Sequence, residues 1–172
     1  KYFKITNLDN PIDNYDACNK KYVDQFVTGG HILEPVRLAT TEKLESVFMA
    51  SSYQLISKKM ESLSFEGIET RIGDRVLVKN QINTFENGIC VVSNIGSAST
   101  NWVLTRTTDY DGSSTGTISY GDIVPIIAGT ANAGIIFIQL TSTAITLGST
   151  NITFLANQAS GVSGGFVSSV AN

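Results

Sequence analysis

Charge is scarce in this chain. Asp, Glu, Lys and Arg make up 16% of its 172 residues, against roughly 25% in an average globular protein. The 12 basic and 15 acidic side chains leave a net charge of −3, which argues against nucleic-acid binding driven by phosphate neutralisation. Histidine occurs once, as His31, with no Cys–His cluster around it to hold a metal. The two cysteines, Cys18 and Cys90, read as free core thiols, with a disulfide between them left open. The longest apolar stretch, residues 134–140, is of strand length and is interrupted by Gln139. That is far below the roughly 20 residues that span a bilayer, so membrane insertion is not expected. Also missing are a Gly-x-Ser-x-Gly elbow, a phosphate loop and a dinucleotide fingerprint. These gaps set the expectation of a non-enzyme with no catalytic residues, no cofactor and no metal.

Hydroxyls take the place of ions. Ser and Thr number 18 each, as suits a β-rich surface, and the length suffices for one domain with a real core. Short apolar runs separated by Gly, Asn, Ser and Thr turns predict strands near 36–40, 54–57, 75–79, 88–93, 102–106, 122–127, 134–140 and 152–156. Eight such strands point to a mainly β fold, a β-sandwich or small antiparallel barrel. Residues 75–79 and 88–93 read as a hairpin. In its first strand Leu77 lies between Arg75 and Lys79, which gives an amphipathic face. Residues 44–62 are ambiguous: 43–49 fit a helix, and the segment is taken as an insertion that extends or caps one sheet.

A short N-terminal helix is expected after the extended lead-in, with Asp13 as N-cap, an Asp16–Lys20 pair one turn apart and Gly29-Gly30 as stop. Tyr15, Cys18, Tyr22 and Phe26 share one face of it at spacings of three and four. An isolated helix of about four turns is marginal in water, so this face must pack on something. The same β domain and a seam between chains are the two options.

Among chemistry-bearing residues, Asp109-Tyr-Asp-Gly112 fails as an EF-hand loop, because Thr107 and Ile118 fall where ligands are needed. A calcium site made by Asp109, Asp111 and Asp122 stays open, as does a carboxylate pair for glycoside hydrolysis. Asp109 is otherwise expected to make turn hydrogen bonds and to pair with Arg106. His31 reads as a solvated or hydrogen-bonded hinge residue, and Trp102 as core. Tyr110 and Tyr120 flank the Gly- and hydroxyl-rich loop 111–119, where their rings and Asp111 are candidates for contact with a sugar or protein surface.

Gly73-Asp-Arg-Val-Leu-Val-Lys-Asn-Gln81 followed by Glu86-Asn-Gly-Ile-Cys-Val-Val92 resembles a module that recurs in bacteriophage tail fibres and tail-fibre-like virion proteins. The resemblance extends in order over nearly the whole chain. It includes Lys4-Ile-Thr-Asn-Leu8, Asp16-Ala-Cys-Asn-Lys-Lys-Tyr-Val-Asp24, Pro35-Val-Arg-Leu-Ala-Thr-Thr41 and Ser64-Phe-Glu-Gly-Ile68. It continues through Trp102 with Thr105-Arg-Thr-Thr-Asp109, then Ile145-Thr-Leu-Gly-Ser-Thr150 with Ile152-Thr-Phe154. Cys18 and Cys90 replace the family's Ala and aromatic residue.

The resemblance implies a virion-surface protein that works as a homotrimer and attaches to a host-cell glycan or protein receptor alongside other virion proteins. It places the trimer seam at Tyr15, Cys18, Tyr22 and Phe26. The expected layout is a lead-in and trimerising helix at 1–30, a β-rich fibre domain at 31–160 and a linker or tail at 161–172, and the chain, which starts at Lys1 without Met, is expected to be a piece of a longer polypeptide. A purely structural spacer of the fibre and a segment of a polysaccharide-degrading tailspike are the alternatives.

Overall fold

The computed structural model describes residues 30–113 and 116–157. The predicted N-terminal helix and its seam residues Tyr15, Cys18, Tyr22 and Phe26 lie outside the described residues, as do Cys18 in general and the 161–172 tail.

Eleven strands follow in chain order: β1 (Leu38–Ala39), β2 (Ser46–Met49), β3 (Gln54–Ser57), β4 (Ser64–Phe65), β5 (Ile68–Glu69), β6 (Arg75–Val78), β7 (Gly88–Asn94), β8 (Val103–Arg106), β9 (Ile123–Pro125), β10 (Ile136–Gln139) and β11 (Phe154–Asn157). Each of the eight predicted strands overlaps one of them. A six-stranded sheet runs β1-β6-β7-β8-β3-β2, a three-stranded sheet runs β11-β10-β9, and β4 with β5 forms a separate hairpin. The fold is mainly β and sandwich-like. The ambiguous 44–62 segment is strand rather than helix. β2 and β3 pair antiparallel and extend the large sheet to its outer edge.

The β6–β7 hairpin is the centre of the molecule, in the register Val76↔Cys90, Leu77↔Ile89 and Val78↔Gly88. Because side chains alternate across a sheet, its two faces feed two different cores. Val76, Val78, Cys90 and Val92 join Leu55, Leu104, Trp102, Leu63 and Phe65 on one side. Leu77 and Ile89 join Tyr110, Val124, Ile126 and Phe137 on the other, under the small sheet. Each such side chain, fully buried, contributes about 1.5–3 kcal/mol. On the amphipathic face of β6, Leu77 is fully buried under the small sheet between half-buried Arg75 and Lys79. Trp102 is core, as read from the sequence.

The β4–β5 turn shows how local chemistry sets register. Phe65 faces Ile68 across a two-residue loop, and both Glu66 (φ 54) and Gly67 (φ 79) lie in the left-handed region, the geometry of a hairpin turn matched to strand twist. The Glu66 carboxylate then reaches the 130–132 turn. Its Oε2 accepts from the Thr130 and Ala131 N–H groups and the Thr130 hydroxyl, and its Oε1 from Asn132 Nδ2. One acidic side chain thus ties the hairpin to the loop that joins β9 and β10.

Candidate functional site

The sequence blocks that stand out as motifs bind one another. Asp74 pairs with Arg37 and accepts the Arg71 N–H at 2.7 Å. Arg75 makes a two-pronged contact with Asp109, Nη1 to Oδ1 at 3.0 Å and Nη2 to Oδ2 at 2.8 Å, a geometry that the planar guanidinium favours. Lys79 lies 4.8 Å from the centre of the Phe137 ring, an arrangement with cation–π character, and its N–H donates to the Thr40 hydroxyl at 3.0 Å. Thr40 in turn donates to Asn80 Oδ1 at 3.0 Å.

The far end of the hairpin is closed by amides. Asn87 Oδ1 accepts the Gln81 N–H at 3.0 Å, and Asn87 Nδ2 donates to the Ile152 carbonyl at 3.0 Å. Gln81 Oε1 accepts the Leu44 N–H at 2.7 Å. Gly88 is required by close approach: its backbone has φ +142, and the Arg106 guanidinium rests on it so tightly that a Cβ would fall 1.5 Å from Nη1. Arg106 is buried and donates from Nη2 to the Glu86 carbonyl at 3.3 Å. Its Nε and Nη1 have no hydrogen-bond partner among the described residues. The motif residues serve the scaffold.

The exposed chemistry gathers at one end, around an open cleft lined by His31, Ile32, Leu33, Glu34, Asp109 and Thr117. Asp122, fully buried, organises it. Its Oδ1 accepts the His31 N–H at 2.9 Å and lies 3.2 Å from His31 Nδ1. Its Oδ2 accepts the Ser119 N–H at 2.7 Å. One carboxylate therefore pins both the entry to the domain and the end of the 111–119 loop. Asp111 closes the start of that loop. Hydrogen bonds from the side chain and backbone of Ser113 hold its carboxyl below the usual carboxylate range. Burial pushes the Asp109 carboxyl up, but hydrogen bonds from Arg75 and Thr107 outweigh it and leave the group below its ordinary value.

Several sequence expectations change here. Tyr110 is not a surface residue. Its side chain is completely buried, 6.4 Å from the Phe154 ring, so it is withdrawn as a contact candidate. Burial pushes its phenol far up, and the hydroxyl has no hydrogen-bond partner among the described residues. Tyr120 is 57% exposed and stands beside the cleft, where its carbonyl accepts the Gly30 N–H at 3.3 Å. Asp111 is half-buried. The partner of Asp109 is Arg75, not Arg106, because Arg106 alternates onto the core face of β8 with Leu104. No group of three acidic, His or Cys side chains able to hold a metal occurs among the described residues, so Asp109, Asp111 and Asp122 do not form the calcium site left open by the sequence.

Sequence reasoning missed the His31–Asp122 clamp. The available signal was an Asp placed after Gly121 and just before the alternating Ile-Val-Pro-Ile-Ile run, where a carboxylate can collect free N–H groups. Cys90 is a free, buried thiol, and burial pushes its pKa up, partly countered by Arg106. No helix among the described residues is long and apolar enough to cross a membrane. No protein-family model, curated protein or solved structure matches this chain.

Proposed function

We propose that the chain is a structural and adhesion module of a viral fibre, tail-fibre-like and homotrimeric, that displays the 111–119 loop for attachment to a host-cell surface. One observation carries the reading. The blocks that resemble the tail-fibre module are far apart in sequence, yet they are the ones that bond to each other: Arg37 to Asp74, Arg75 to Asp109, Asn87 to Ile152. In this chain the resembling blocks form one interlocking scaffold, which supports reading them as one module. The chain is poor in charge and rich in hydroxyls, and exposed His31 and Glu34 line one open cleft, with exposed Tyr120 bonded through its carbonyl to the neighbouring Gly30.

The mechanism is geometric. A rigid β domain holds the loop and Tyr120 at a fixed position, and three copies on one axis engage a repetitive surface together. A flat amphipathic ring beside hydrogen-bonding groups suits a sugar face, and joining weak sites raises avidity by about 10²–10⁴. The test is binding of the labelled full chain to host cells, with Tyr120→Ala and Asp111→Ala variants of unchanged fold. Loss of attachment is expected. Unchanged attachment would mean a structural spacer, and release of reducing sugar from host polysaccharide would mean a tailspike segment.

A further inference from the structure

Residues 30–40 bridge the two sheets, and the strands they pair with run parallel to them. Ile32 pairs with Ile123 and Val36 with Ile126, along and just past β9 of the small sheet. Leu38 and Ala39 then pair with Val76 and Leu77 of β6 in the large sheet. Toward β9, the Ile123 N–H donates to the His31 carbonyl at 2.8 Å and the Leu33 N–H to the Ile123 carbonyl at 2.9 Å. The Val36 N–H donates to the Pro125 carbonyl at 2.9 Å, and the Ile127 N–H to the Val36 carbonyl at 3.0 Å. Toward β6, the Arg37 N–H donates to the Arg75 carbonyl at 2.8 Å and the Thr40 N–H to the Leu77 carbonyl at 2.9 Å. One stretch of backbone is thus laced to both layers.

Its entry is fastened by more than this ladder. Gly30 lies so close to Gly121 that a Cβ would fall 1.6 Å from the Gly121 carbonyl oxygen. The next residue, His31, donates its N–H to the fully buried Asp122 carboxylate at 2.9 Å. A hydrogen bond to an ionised acceptor is stronger than one between neutral groups, and a buried acceptor is shielded from competing water. Further along, Val36, Leu38 and Ala39 are buried in the cores, and Arg37 pairs with Asp74.

Direction decides how this segment answers a pull. Residues 1–29 join the domain at Gly30, at the Asp122 end of β9. A pull away from that end drags residues 30–40 lengthwise past β9 and β6. Hydrogen bonds between strands lie across them or at a slant. A lengthwise pull therefore strains the whole row together, whereas a sideways pull opens it one bond at a time. Sideways opening must also begin at His31, where the Asp122 carboxylate holds the chain.

We propose that residues 30–40 are a tension-bearing strap that passes load from the chain before Gly30 into both sheets in shear, with Asp122 as the buckle that stops the strap from peeling at its entry. That load rests on the fibre reading, in which the domain is one link of a longer fibre. The directional resistance is a property of the fold and stands without it.

Constant-force pulling on single full-length chains in a Cys18→Ser background tests it, with one handle at Lys1 and the other at Ala133→Cys or Thr143→Cys, both exposed positions. Ala133 lies in the turn after β9, at the end away from Asp122, so that pull runs lengthwise. Thr143 follows β10, whose Gln139 N–H donates to the Asp122 carbonyl at 2.9 Å, so that pull starts beside the entry and runs sideways. At equal force the lengthwise lifetime is expected to be at least about a hundredfold longer, because several hydrogen bonds must give way together. Asp122→Asn, folded by circular dichroism, loses the charge and one acceptor oxygen and is expected to shorten the sideways lifetime about tenfold. Equal lifetimes in the two directions overturn the strap, and they do so even in a chain that attaches to host cells, where the fibre reading then stands alone. An unchanged sideways lifetime in folded Asp122→Asn overturns the buckle. Directional resistance in a chain that binds no host cell upholds the strap and removes the attachment reading alone.

Discussion

Gly88→Ala isolates what holds the central hairpin shut. The added Cβ would meet Arg106 Nη1 at 1.5 Å and Cζ at 2.6 Å, on a backbone with φ +142. Two penalties combine. Holding a non-glycine residue in that backbone region costs about 1–3 kcal/mol. Displacing the guanidinium breaks its bond to the Glu86 carbonyl and disturbs a packed site, for about 1–2 kcal/mol more. Because the Arg side chain is flexible at its tip, part of the clash is relieved by movement, and the expected total is about 2–4 kcal/mol.

In urea, with a slope of roughly 2 kcal/mol/M, the unfolding midpoint then falls by about 1–2 M. Arg106→Met clears the space above Gly88, so adding Gly88→Ala to it should cost about 1–2 kcal/mol less than in the wild type. A midpoint for Gly88→Ala within about 0.3 M of wild type would refute the close-approach reasoning. So would a double-mutant cycle with no coupling, which would assign the whole cost to the backbone.

Three further outcomes are expected. Tyr110→Phe removes a buried hydroxyl without a partner among the described residues and keeps the ring, so thermal unfolding should show stability unchanged or raised by about 1 kcal/mol; a loss of that size would mean the hydroxyl is satisfied. For Glu66, hydrogen bonds from the Ala131 N–H and the Thr130 hydroxyl hold the carboxyl below its ordinary value of 4.5. A carboxylate depressed by folding contributes stability that is present above the unfolded value and lost as pH falls through the folded one. Urea midpoints should therefore drop below pH 4.5, and less steeply in Glu66→Gln. Cys90, buried with its thiol pushed up, should resist a thiol reagent in a folded Cys18→Ser chain and react only after denaturation; fast labelling in native buffer would contradict its burial.

The strands were legible because alternation and turn residues are local signals. Residues 43–49 stayed ambiguous because Leu44, Val47 and Phe48 also satisfy a helical spacing, while β2 is an edge strand whose pattern is only half-buried; the expected extension of one sheet by this segment is what the structure shows. Long-range pairing was not legible. Asp109 has an arginine three residues away, yet it bonds to Arg75 across the sheet, since the alternation of β8 commits Arg106 to the core. Tyr110 looked exposed because Asp and Gly surround it; its ring instead turns inward to fill the space between the two sheets. Of the contact candidates, Tyr120 remains exposed, and Asp111 shapes the loop by bonding to Ser113.

The clamp at Asp122 has an evolutionary consequence. A single buried carboxylate fixes the end of the 111–119 loop through the backbone N–H of Ser119, and another contact fixes its start through Asp111 and the N–H of Ser113. Both anchors grip a main-chain N–H, which every amino acid but proline supplies. Ile118 packs on the core and Gly116 has no room for a Cβ, while exposed Thr117 between the anchors can change with the hairpin, its ion pairs and its cores untouched. A lineage carrying this domain could exchange one surface specificity for another without relearning how to fold.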